Sequence, residues 1–137
     1  MKLWYGYGSE HSMNLVMIGR FKDAGDATKA KEVIDRITEQ VDVDIDADRI
    51  EVGEQTDRYS DDMLTLLTSG VNVHGIYPAE LEQFAYDVSV EVEDDKVLVT
   101  TEEIDVSAFL KVLLDKGARV EVYSAHHHPG TGYGRGE

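Results

Sequence analysis

The chain has 137 residues, enough for one domain with a single substantial core, and its 28 acidic residues against 13 basic ones give a formal net charge of −15. It has no cysteine, which excludes disulfides and thiolate metal sites, and no apolar run approaching the ~20 residues of a membrane-spanning helix. The first residues carry neither the basic segment nor the apolar core of a secretory signal, so the expected compartment is the cytoplasm.

The acidic residues are spread along the chain rather than gathered in a tail. Such a chain repels itself at low salt, and salt near molar strength removes most of that cost by shortening the Debye length to ~3 Å. The expectation is therefore a salt-adapted protein, against the plainer readings of an acidic mesophilic protein or one that docks on a basic partner. No basic stripe is present beyond Lys29 and Lys31, which argues against nucleic acid as a partner.

In chain order, Lys2 to Tyr7 alternates Leu3, Tyr5 and Tyr7 with Lys2, Trp4 and Gly6, the pattern of a short aromatic strand. A polar loop, Gly8 to Ser12, leads into Met13–Phe21, which carries bulky apolar residues on both faces and reads as a central strand covered on both sides. If the loop reverses direction, the two strands pair as a hairpin. Asp26 is placed to cap a helix with Ala27, Ala30, Ile34, Ile37 and Val41 along one face.

From Asp42 to Tyr59 the pattern weakens. Val41, Val43 and Ile45 alternate with aspartates, which suits a solvated edge strand or an acidic loop. A calcium loop of EF-hand type is excluded, because its glycine and its closing glutamate do not fall in place. Ser60-Asp61-Asp62 starts a helix that Gly70 stops, and Val71–Ile76 reads as a short strand. Pro78 opens a helical turn through Phe84. Val88, Val90 and Val92 alternate with polar residues up to an Asp94-Asp95 turn, and Lys96–Thr101 alternates again, giving a hairpin with one wet face. Asp105 is placed to cap a helix burying Val106, Phe109, Leu110, Leu113 and Leu114, closed by Lys116 and Gly117, and Arg119–Tyr123 is the last strand.

The expected fold is α+β: a ferredoxin-like split β-α-β (β-α-β-β-α-β) with an extra N-terminal strand and a helical insertion over about residues 42–86. Residues 1–128 form the single domain, and 129–137 a flexible glycine-rich tail. In that fold the first and last core strands lie side by side and antiparallel. The approach to the first, Ser9-Glu10-His11-Ser12, then comes near the exit of the last, Ser124-Ala125-His126-His127-His128. His126 and His128, two apart on extended chain, share a side, and with His11 and Glu10 they match the ligand types of a zinc, nickel or iron site. The plainer readings are a surface His segment and a His11 that holds its loop. His74 stands alone between Val73 and Gly75, and a structural role is expected there. No nucleophilic triad, dinucleotide fingerprint or phosphate-binding Gly-Lys-Ser/Thr is present. The tail, Gly130 to Gly136, has one arginine among its glycines, too few for an RNA-contacting segment.

The stretch Trp4–Phe21, above all Tyr7-Gly8-Ser9-Glu10-His11-Ser12-Met13-Asn14-Leu15, resembles the opening of a family of small prokaryotic proteins of unknown function with haloarchaeal members. The composition, too, is similar to that of haloarchaeal proteins that keep molar salt around them. The family resemblance implies no catalytic residues. The element order is similar to that of dimeric α+β barrel proteins, a superfold that hosts enzymes, metal binders and regulatory modules alike. Two functions are expected from these features. The first is a small-molecule-binding or protein-interaction domain, dimeric and not a catalyst, in which a partner subunit or the insertion covers the sheet face carrying Val16 and Ile18. The second is a small metal-dependent or acid–base enzyme using Glu10, His11, His126 and His128.

Overall fold

The computed structural model describes residues 15–101 and 106–124. It is an α+β structure built on one antiparallel four-stranded sheet. Strand β1 is Leu15–Arg20, β2 Val88–Glu93, β3 Lys96–Thr101 and β4 Arg119–Ser124, and they lie in the order β2-β3-β1-β4. Both sides of β1 are taken: Met17 faces Val99 on β3 and Val122 on β4. A preceding strand therefore cannot pair with β1 as a hairpin, and that expectation is corrected. The expected extra strand at Lys2–Tyr7 itself lies outside the described residues, as does the 129–137 tail.

The 23-residue helix α1, Ala24–Asp46, crosses the sheet over β2 and β3, and α3, Ser107–Asp115, packs over β1 and β4. Helix α1 is longer than its pattern suggested at both ends. Its N-cap is Asp23, whose Oδ1 accepts from the Asp26 N–H at 2.8 Å, so Asp26 sits in the first turn instead, where its charge still favours the helix dipole. At the other end the expected strand or acidic loop after Asp42 is helix to Asp46. The alternation there is a coincidence of two periods. Ile37 and Val41 are buried and Ile45 is partly buried, at helical spacing, while Val43 faces water at 51% exposure.

The insertion is mostly irregular. Helix α2, Asp61–Thr65, starts where expected, with Ser60 Oγ accepting from the Met63 N–H at 3.0 Å, and passes into a π-helical turn, Leu66–Gly70. Val71–Ile76 is not a strand. Val71, Val73 and Ile76 are buried, as their pattern demands, but no other strand meets their backbone. Its polar groups are met by other means: the Val73 N–H donates to the Leu67 carbonyl, and Lys116 Nζ donates to the carbonyls of Val71 (2.8 Å) and Asn72 (3.1 Å). The 3-10 helix Pro78–Ala85 then wedges between α1 and α3, stacking Phe84 on Phe109 with ring centroids 4.9 Å apart. The insertion thus packs beside the helices.

The core lies between the helices and one face of the sheet, with Leu15, Met17, Val97, Val99 and Val122 meeting Ile34, Ile37, Phe109 and Leu113. Gly19 lets α3 come close, since a Cβ there would stand 3.2 Å from Leu113 Cδ1. The first residue before α3 with a described position is Val106, its N-cap, while Asp105 lies outside the described residues. Gly117 closes α3 at φ 97°, and Asp94 makes the hairpin turn at φ 56°, the left-handed region an aspartate tolerates.

Candidate functional site

The expected metal site falls on segments the structure does not describe. Glu10, His11, His126 and His128 all lie outside the described residues, so their side chains have no assigned positions. What the structure does give is where their segments attach. Leu15 and Ser124 are directly paired across β1 and β4, so both segments leave the sheet from neighbouring points at one end. Among the described residues no group of three His, Asp or Glu side chains is gathered as a metal site. His74 is exposed, and its backbone N–H reaches Asp115 Oδ1 at 3.4 Å.

Two polar clusters escaped sequence reasoning. In the first, the Asp44 carboxylate is fully buried inside the core side of α1. Its Oδ1 accepts from Gln40 Nε2 (3.1 Å) and Arg49 Nη1 (3.0 Å), and its Oδ2 from Ser60 Oγ (2.8 Å). Every lone-pair direction of importance is met, so this carboxylate ties the 47–60 loop to α1. The Asp-rich alternation that suggests a solvated segment conceals one aspartate that is buried, and no local signal distinguishes Asp44 from Asp42 or Asp46.

The second cluster joins the insertion to α3. Glu80 Oε1 accepts from Lys111 Nζ at 2.6 Å and from the Tyr77 N–H at 2.9 Å, and its Oε2 accepts from Ser107 Oγ at 2.5 Å. Lys111 also donates to the Gly75 carbonyl at 2.8 Å and lies 4.2 Å from the centroid of the Tyr77 ring. Burial pushes the Glu80 carboxyl up, but the hydrogen bonds from Lys111, Ser107 and the Tyr77 N–H outweigh it and hold the group below its ordinary value. Tyr59, whose hydroxyl donates to the Ile76 carbonyl, is shifted upward by burial and by the negative charge of Glu80. These contacts fasten the insertion to α3.

The remaining feature is the sheet face turned away from the helices. Alternation along the strands gives it three cross-strand rows. One runs Ser89, Thr100, Val16, Tyr123, the next Glu91, Leu98, Ile18, Glu121, and the last Glu93, Lys96, Arg20, Arg119. Ile18 at its centre is 2% exposed, and Val16, Leu98 and Tyr123 around it are half-buried. Ile18 is not part of the core under the helices. Across this face Arg20 Nε approaches Glu121 Oε1 to 3.6 Å, and the Tyr123 hydroxyl donates to Glu121. Sequence reasoning found Val16 and Ile18 on this face but not the row of three cations, because the register that aligns Lys96, Arg20 and Arg119 joins segments far apart in the chain.

These features define a small α+β protein with one helix-covered sheet face and one face free of described helices. The chain belongs to DUF6375, a family of unknown function, whose model matches residues 1–135. No curated protein and no solved structure matches it. No helix among the described residues is long and apolar enough to cross a membrane.

Proposed function

We propose that this chain is a salt-adapted, cytoplasmic interaction domain of ferredoxin-like type that works as a homodimer, with the helix-free sheet face as the dimer interface. The observation that carries this reading is the charge distribution. Among its described residues that face bears three acidic ones (Glu91, Glu93, Glu121) and three basic ones (Lys96, Arg20, Arg119) around an apolar centre, so they contribute nothing to the net charge of −15. Two copies of so acidic a chain approach with least repulsion through a neutral face, and the half-buried Val16 and Leu98 beside the already buried Ile18 supply apolar surface to cover. A two-fold pairing of the same face on both copies closes the assembly.

The ferredoxin-like reading is supported by a core order of strand, helix, strand, strand, helix, strand, with β1 between β3 and β4. Salt adaptation is supported by the excess of 28 acidic over 13 basic residues. Light scattering in KCl of about 2 M, where surface repulsion is screened, tests the dimer. A mass twice that of the chain, falling to one chain in Leu98→Glu, is the expected result, and a monomer at all salt concentrations removes the proposal. Thermal melts at low and high KCl test salt adaptation: the midpoint rises with salt, and a midpoint that does not rise removes that part.

A second reading is carried by the Leu15–Ser124 pairing. It brings the bases of the two segments bearing Glu10, His11, His126 and His128 together, which supports a divalent transition metal such as zinc between them and metal-dependent or acid–base catalysis there. Metal analysis of protein purified without a nickel column is its test. Bound metal, or a melting point raised by zinc and lost in His126→Ala, supports the site, while neither result eliminates it.

A further inference from the structure

We propose that the end of the helix-free face where Arg20 meets Arg119 is a binding subsite for a small phosphomonoester, with the two guanidinium groups holding the phosphate. The sheet register sets Arg20 directly between Lys96 and Arg119. Like charges placed opposite one another across strands are destabilising, and a chain with 28 acidic residues for 13 basic ones has no shortage of carboxylates with which to separate them. It does so for Lys31, Arg49, Lys111 and Lys116, each within 3.5 Å of an acidic partner, and for Arg20, which pairs with Glu121 at 3.6 Å. Neither Lys96 nor Arg119 has an ion-pair partner among the described residues. The Arg20 partner, Glu121, also accepts from the Tyr123 hydroxyl.

Beside this concentration of positive charge lies a cleft of about 530 Å³, lined by Arg20, Arg119, Val120 and Glu121, which falls within the size range of small-ligand sites. The cleft runs along β4, an edge strand among the described residues. Paired guanidinium forks suit the oxygens of a phosphate group, which accept two parallel hydrogen bonds from each. The Glu121 carboxylate opposes a second anionic group close by, which favours a ligand with one compact anionic end and an uncharged body. The subsite is that of the single chain, since a dimer seated on this row covers Arg20 and Arg119, so the calorimetry is run where scattering gives the mass of one chain.

Titration calorimetry of the full chain with ribose 5-phosphate, inorganic phosphate and ribose, at moderate KCl, tests it. The phosphate-bearing probes bind and ribose does not. Tighter binding of ribose 5-phosphate than of inorganic phosphate supports the ester as the ligand, and equal binding supports the phosphate subsite alone. With folding checked by circular dichroism, Arg119→Ala weakens binding by about tenfold or more, the loss expected for a charge-assisted contact, while Arg119→Lys recovers part of it. Lys29→Ala, which removes an exposed cation on α1, leaves it unchanged. Failure of both phosphate probes to bind at about 5 mM overturns the proposal, as does an equal loss in Lys29→Ala, which would mean a diffuse charge effect. Binding of a single-stranded oligonucleotide about tenfold tighter than ribose 5-phosphate overturns it too, in favour of a nucleic-acid surface.

Discussion

The two faces of the sheet are made by the same four strands and differ in every respect that matters for function. On the helix-covered face the middle row is Val90, Val99, Met17 and Val122, and the row beside it holds Gly19, where a side chain would run into Leu113. One residue along each strand, the opposite face reads Glu91, Leu98, Ile18 and Glu121. The first is apolar along its middle row and packed; the second is apolar only at its centre, and charged of both signs around it. A face built only for folding needs no balanced charges, and a face built only for solubility in so acidic a chain would not gather arginines and buried isoleucine. That difference is the ground on which the second face is proposed as a contact surface.

The contrast can be broken from either side. On the packed face Phe109→Ala, which removes the ring stacked on Phe84, costs about 3–5 kcal/mol and lowers the midpoint of denaturant unfolding at any protein concentration. On the opposite face Leu98→Glu leaves unfolding of the single chain within about 1 kcal/mol of the parent while abolishing the dimer in scattering. An equal loss of stability from both substitutions would mean the second face is simply more core.

A smaller effect sharpens how the insertion is fixed beside the packed face. Glu80 is held below its ordinary carboxylate value of 4.5, so its contribution to stability is complete above that value and is lost as the pH falls through the lower value of the folded state. Glu80→Gln is therefore expected to cost about 1–2 kcal/mol at neutral pH, with the gap to the parent closing in more acidic buffer, as followed by urea unfolding at several pH values. The smallest effect belongs to the hairpin that both faces share. Asp94→Gly relieves a left-handed φ of 56° and raises stability by about 0.5 kcal/mol, detectable as a shift in thermal midpoint.

What local sequence determined is whatever depends on neighbours within a few turns. The Val–polar alternation of 88–93 and 96–101, the face of α1 from Ala27 to Val41, the Ser60 cap and the Gly117 stop are all present as expected, because period and capping are properties of a short stretch of chain. The helical end of α1 was hidden, since Val41, Val43 and Ile45 satisfy a strand period as well as part of a helical one, and only the partners of Asp44 decide between them. Those partners, Arg49 and Ser60, reach it through a loop. Tertiary structure alone decided that Val71–Ile76 is buried without being a strand, that β1 has no free side for a preceding hairpin strand, and that Lys96, Arg20 and Arg119 fall in one row. The last is a matter of register between segments some 75 to 100 positions apart: the alternation within each strand decides which face a residue takes, but not which residue of a distant strand stands opposite it.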